Sequence, residues 1–296
     1  MKKIAFMYII IAGILWGTSG IFVHYLAPFG FTSLQMTFFR SIVSCVCMSL
    51  YILVHDKKLF KISLKELLLF AGSGVSFFLT ASCYFYSMQA TSISTAVVLM
   101  YTAPIFVMIY SVMFLNERIT PVKTLSVVCM IIGCGLVSGI IGGLKFDAMG
   151  IAIGFLSGIA YSAYNIFTKI QMRNKSNPLS ATLYCFLFAT ILGAFSCGID
   201  KLPKDIAIAP YITLPLVVGM GLLTCISPYF LYTLALKKIP AGTATSLGII
   251  EPMAATIFSV ILFHEPLKTA SICGILLILG AVFLLSRADL NKETDA

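Results

Sequence analysis

Charge is what this chain lacks. Of its 296 residues only 10% are Asp, Glu, Lys or Arg, and three are His. A water-soluble domain carries about 25% charged residues, so this composition cannot supply a solvated globular surface. The parts of most membrane-embedded enzymes are missing too: there is no DDxxD, no HExxH and no phosphate-cradling glycine loop, and His24, His55 and His264 are scattered. An integral-membrane enzyme acting on a lipid or prenyl substrate is therefore only the alternative reading, and no enzyme activity, metal or cofactor is expected. Long polar linkers are absent as well, which excludes a soluble catalytic domain. The nine cysteines all fall in apolar runs without zinc-like spacing, and read as small packing residues.

Hydrophobic length is what the chain has. It is 59% hydrophobic, with a mean hydropathy of +1.02. Apolar stretches of about 20 residues recur throughout, each able to cross a bilayer core of about 30 Å. Ten spans are predicted: 5–24, 34–54, 67–88, 93–115, 123–141, 149–170, 179–199, 211–236, 241–263 and 269–286. The first resembles a signal peptide, but its apolar run is too long and a similar segment recurs mid-chain, so it is expected to stay as a span.

With the N-terminus in the cytoplasm, 15 basic residues fall on the inner side and 4 on the outer, with Arg40 inside a span. This asymmetry predicts a multi-pass protein of the cell membrane with both termini cytoplasmic. The formal charge of +9 then reflects orientation in the lipid bilayer, and no nucleic-acid partner is implied. Monomer and homodimer are both open.

The chain repeats itself. "YFYSMQATSISTAVVLMYTAPIFVMIYSVMFLNERIT" from Tyr84 aligns with "YTLALKKIPAGTATSLGIIEPMAATIFSVILFHEPLK" from Tyr232, 148 positions on. "GILWGTSGIF" aligns with "GIAYSAYNIF" 145 positions on, which pairs Gly13 with Gly158 and Trp16 with Tyr161. Five spans is an odd number, so the second copy enters the membrane upside down. The predicted organisation is a first five-helix repeat over 1–144, an inverted second repeat over 145–288, and a cytoplasmic tail over 289–296. Inverted repeats are a recurring construction of secondary transporters.

Two intramembrane charges interrupt this pattern. Glu251 lies in "GIIEPMAATIF", where an unpartnered charge costs roughly 2.5–3.5 kcal/mol on insertion scales. Its helical neighbours Ala244, Gly248, Ala255 and Ser259 are small, so it faces other helices or a cavity. Pro252 leaves the carbonyl of Gly248 without its helical partner, and Pro104 does the same in the first repeat. A carboxyl in a cavity suits a proton-coupling residue, while a neutral Glu hydrogen-bonded into helix packing is the plainer reading. Arg40 has three roles open to it: pairing with Glu251, holding an anionic group of a substrate, or snorkelling to headgroups. The positions related to these two charges by the repeat hold Ala103 and Cys185.

The stretches "TAPIFVMIYSVMFLNERITPVKTLSVVCMIIGCGLV" and "IEPMAATIFSVILFHEPLKTASICGILLILGAVFLL" share a Pro followed by an (F/L)xxE(R/P)(I/L) turn. With ten spans and two repeats, the chain resembles the drug/metabolite transporter superfamily, and its EamA family in particular. The resemblance implies an all-α fold in which the first, third, fourth, sixth, eighth and ninth spans surround a central cavity. On that mapping Thr80, Tyr84, Tyr101 and Tyr161 line it; Asn165, which shares a helix face with Tyr161, and Trp16, the repeat partner of Tyr161, are further candidates for binding the substrate. An aromatic lining suits an aromatic or cationic solute. The function so implied is secondary transport of a small polar or amphipathic metabolite, an amino acid or a relative of one. Alternating access, export and coupling to protons through Glu251 are the expected mechanism.

Overall fold

Several helix starts in this protein are set by short polar caps. Thr32 and Gln35 form a reciprocal capping box, the Thr32 hydroxyl accepting from the Gln35 amide at 3.3 Å and the Gln35 side chain accepting from the Thr32 amide at 2.8 Å. Ser63 and Glu66 repeat the device, Ser92 caps Thr95, and Asn177 precedes Pro178 at the first helical position. Such caps satisfy amides that a helix leaves open, and they fix where these four apolar segments begin.

The computed structural model describes residues 2–103, 105–107, 109–110, 121–137, 147–198, 209–236, 250–264 and 269–294. The helices are α1 (Lys2–Gly17), α2 (Ser19–Leu26), α3 (Ser33–His55), α4 (Leu64–Ala90), α5 (Ile93–Met100) and α6 (Pro121–Val137). After these come α7 (Ala148–Arg173), α8 (Pro178–Ser196), α9 (Pro210–Gly221), α10 (Ser227–Leu236), α11 (Ile250–Phe263) and α12 (Thr269–Thr294). Six helical segments among the described residues are long and apolar enough to cross a membrane, and shorter apolar helices fall at 93–107, Ile250–Phe263 and Ile272–Ala281.

The first span is α1 and α2 in sequence, bent at Thr18, whose hydroxyl turns back to the Leu15 carbonyl at 2.6 Å. The eighth is α9 and α10, joined by a π-helical turn at Leu222–Ile226. α4 and α5, which hydropathy barely separates, part at Thr91 and Ser92. Parts of the fourth and ninth predicted spans (111–115 and 241–249) lie outside the described residues. The last helix reaches Thr294, beyond the predicted span end at 286, because "SRADLNKET" holds no glycine or proline to stop it.

Helix pairing has the symmetry of the repeat. α4 packs on α7 as α10 packs on α1; α5 packs on α7 as α11 packs on α1; α3 packs on α8, and α6 on α12. Exchanging each span for the one five later maps this set onto itself. The glycines show the same equivalence at atomic detail. A Cβ on Gly158 would meet the Thr102 hydroxyl at 2.6 Å, and one on Gly13 would meet the Ile250 Cβ at 3.0 Å. Gly13 and Gly158 are repeat partners, and so are Thr102 and Ile250.

One departure is instructive. Gly72 rests on Phe167 and Gly74 on Phe188, while Gly219 rests on Phe22 and Gly221 on Val43. Phe22 pairs with Phe167 and Val43 with Phe188 in the repeat, so Gly72 corresponds to Gly219 and Gly74 to Gly221. That spacing is one position shorter than the one relating Tyr84 to Tyr232. The eighth span therefore carries one residue more than the third between these points. The π turn at Leu222–Ile226 absorbs it, because an i→i+5 turn holds an additional residue.

Candidate functional site

The site is built where the end of α5 meets α11. α5 ends at Met100, and Tyr101 and Thr102 form a turn in which the Thr102 amide donates to the Leu99 carbonyl at 3.2 Å. The Thr102 hydroxyl donates to the same carbonyl at 2.7 Å. Pro104, expected to cause this break, lies outside the described residues, as does Gly248. In the second repeat Pro252 is buried within α11, whose described part begins at Ile250.

The phenol of Tyr101 donates to Glu251 Oε2 at 2.9 Å. This bond joins residues 150 positions apart and ties the end of α5 in one repeat to α11 in the other. Tyr101 is buried, whereas Glu251 is half-buried. Its helix exposes Met253, Ile257 and Ile261 on one face and buries Ala254, Ala255 and Ser259 on the other. Glu251, one turn before Ala254 and Ala255, belongs to the inward face, so the space it touches lies among the helices. α1 comes close because Gly17 has no side chain: a Cβ there would meet Ala254 Cβ at 2.7 Å and the Glu251 carbonyl oxygen at 3.1 Å.

A chain of aromatic contacts leads away from this carboxyl and ends on α1, which packs against the helix that carries Glu251. Tyr101 and Tyr161 have centroids 6.4 Å apart, Tyr161 and Tyr164 6.2 Å, and Tyr164 and Phe77 6.2 Å. Phe77 meets Phe186 at 5.4 Å, Phe186 meets Tyr229 at 5.6 Å, and Trp16 touches Tyr229 at 5.4 Å and Tyr232 at 5.7 Å. Trp16 immediately precedes Gly17, so the series ends beside the helix it started from. Trp16, Tyr161, Tyr164, Tyr229 and Tyr232 are all half-buried, as is Asn165 one turn beyond Tyr161.

Arg40 sits elsewhere on this rim. Its Nε donates to Cys225 Sγ at 2.9 Å and its Nη2 to the Thr224 carbonyl at 3.1 Å. The guanidinium lies over the rings of Phe77 and Phe85, 5.3 and 5.4 Å from their centroids. It is only 6% exposed, and both bonds run to the π turn. Tyr84 is buried against Phe85. Thr80 is on the same helix, its hydroxyl folded back to the Ser76 carbonyl at 2.7 Å. Ser73 and Ser76 do likewise towards Phe70 and Gly72.

The structure thus gathers Glu251, Tyr101, Tyr161 and Trp16 into one neighbourhood, with Tyr84, Arg40 and Asn165 on adjoining helices. Tyr164, Tyr229, Phe77 and Phe186 join them without having been selected as site residues. Tyr164 shares a helix face with Tyr161, and that spacing was the available signal. Among the described residues no group of three or more His, Cys, Asp or Glu side chains is placed to hold a metal.

Three comparisons bear on what such an arrangement belongs to. The model of the EamA-like transporter family matches residues 3–139 and again 148–287. The chain is similar to the uncharacterized transporter YwfM of Bacillus subtilis, 23% identical over 97% of this chain and 95% of that protein. It is similar to an uncharacterized transporter of Archaeoglobus fulgidus at 26% identity, over 93% and 94% respectively. YoaV of Bacillus subtilis, also an uncharacterized transporter, is 27% identical over 93% and 92%. A crystal structure with 13% sequence identity superposes with a TM-score of 0.65 over 99% of both chains, a likeness of fold alone.

Proposed function

The chain belongs to the EamA-like transporter family and is a multi-pass membrane transporter; from that premise we propose that it is a secondary active carrier of a small amphipathic metabolite, an amino acid or a relative of one. It works by alternating access, exports its solute across the cell membrane, and has both termini in the cytoplasm.

The observation that carries this reading is the Tyr101–Glu251 hydrogen bond where the end of α5 meets α11. A carboxylate in a span is retained for function by default, and in inverted-repeat carriers the solute site lies between the repeats. Glu251 holds a proton or the cationic group of a solute, and loading one displaces the other. Tyr101 reports that exchange to the first repeat, because its phenol can donate to the carboxylate or accept from the carboxylic acid. The half-buried rings of Tyr161, Tyr164, Trp16, Tyr229 and Tyr232 offer faces to an apolar or cationic body. Gly13, Gly17 and Gly158 let the first and sixth spans slide against α11 and the end of α5 as the halves rock.

The test is transport by the purified protein in sealed proteoliposomes, with radiolabelled amino acids as first probes, chosen after a thermal-shift screen. Saturable counterflow, and accumulation when a pH gradient is imposed, are the expected results. Flux without counterflow indicates a pore and contradicts the reading. Counterflow indifferent to the pH gradient removes the proton from it.

A further inference from the structure

Pro228 opens a gap in the eighth span that a residue from another helix fills. Lacking an amide hydrogen, Pro228 cannot donate to the carbonyl four residues back, which is that of Thr224. Both Thr224 and its neighbour Cys225 are fully buried, where an unmet carbonyl is expensive. Arg40 reaches across from α3 and donates its Nη2 to that carbonyl at 3.1 Å. Its Nε meets Cys225 Sγ at 2.9 Å. Ser44, one turn along α3, bonds the Arg40 carbonyl at 2.6 Å and places the α3 backbone beside Gly221 at the start of the same turn.

The other repeat does without all of this. Thr80 stands where Pro228 stands in the second, inside an unbroken α4, and its hydroxyl bonds the Ser76 carbonyl at 2.7 Å. The third span has no additional residue, no proline at that point and no π turn, and the partner of Arg40 is the neutral Cys185. Three departures from the repeat (the inserted residue, Pro228 and Arg40) therefore meet at one place. They lie within about a turn of Tyr229 and two of Tyr232, the rings that rest on Trp16.

We propose that Arg40 is a positioning residue: its guanidinium replaces the amide that Pro228 lacks, holds the π turn, and so keeps Tyr229 and Tyr232 against Trp16 beside Glu251. The importance of that aromatic face rests on the transport reading above; the structural role does not. Only arginine suits the task. Its planar fork presents Nε and Nη2 to two neighbouring acceptors at once, whereas a lysine ammonium is a single point charge.

The chain has one tryptophan, Trp16, so its emission reports this packing in detergent with no solute added. The experiment compares Arg40→Met, Arg40→Lys, Pro228→Ala and the double variant Arg40→Met/Pro228→Ala by Trp16 fluorescence and by thermal melting. Arg40→Met is expected to shift the emission and lower the melting temperature by several degrees, with Arg40→Lys in between. Pro228→Ala restores an amide, so the double variant is expected to return most of the way to wild type in both readouts. A double variant as perturbed as Arg40→Met overturns the proposal, as does an Arg40→Met protein indistinguishable from wild type. Should Arg40→Met not yield folded protein, recovery of the double variant supports the proposal and its failure overturns it. Because no transport is measured, a negative result here is separable from failure of the Glu251 mechanism.

Discussion

Two junctions of this molecule invite comparison: Thr102 over Gly158 in one half, and Ile250 over Gly13 in the other. Their contacts are repeat-related, yet their chemistry is not. The first junction offers a phenol from Tyr101, and the residue related to Tyr101 is Ile249. The second offers a carboxylate from Glu251, and the residue related to Glu251 is Ala103. Donor and acceptor thus come from opposite repeats and complete each other only when the halves assemble. On the proposed mechanism, duplication supplies a frame that rocks, while divergence supplies a single site within it. A fully symmetric carrier would bear two acids close to the axis, and two like charges there repel.

The most severe way to break this comparison is to move the acid. Glu251→Ala combined with Ala103→Glu keeps the number of carboxylates but places one at a fully buried position, where the residue related to Tyr101 is Ile249. Gradient-driven transport is expected to vanish in that variant, and its return would show that the two halves are interchangeable. Next comes Tyr101→Phe, which removes a hydrogen bond to an ionisable group worth about 1.5–3 kcal/mol. Half-saturation in the counterflow assay is expected to weaken by about tenfold to a hundredfold.

The glycines sharpen the comparison by stability alone. Overpacking of this kind costs about 1–3 kcal/mol, and melting in detergent should show Gly158→Ala as the more damaging change. Its Cβ would lie 2.6 Å from the Thr102 hydroxyl, with carbonyl oxygens at 3.0 and 3.3 Å, against 3.0 Å for Gly13 and the Ile250 side chain. The smallest effect belongs to Ser94→Ala. Ser94 and Ser259 share a buried hydroxyl contact at 2.9 Å between α5 and α11. Losing it should cost about 1 kcal/mol, visible in melting and absent from transport.

Much of the frame was legible in the sequence because hydrocarbon imposes length and duplication imposes register. Glu251 stood out for the same reason: an acid in an apolar run has few explanations. Its partner was less legible, since nothing local in "LMYTAP" says that Tyr101 will reach a helix 150 positions away. Arg40 was visible as a charge but not in its role. It bonds a backbone carbonyl and a thiol, and no complementary side chain in the sequence announces such partners. Thr80 shows the converse, a polar residue on the expected stripe whose hydroxyl serves its own helix. The π turn left a trace that could have been read: Gly72 and Gly74 match Gly219 and Gly221 one position out of step with Tyr84 and Tyr232.

The central claim is that one carboxyl, Glu251, links the solute to the proton. The most direct measurement compares wild type with Glu251→Gln in proteoliposomes holding equal labelled solute on both sides, before and after a pH gradient is imposed. Wild type should then move solute against its concentration while Glu251→Gln, still folded and still binding Tyr101 through its amide oxygen, moves none. Uphill movement by Glu251→Gln at the wild-type rate would contradict the account.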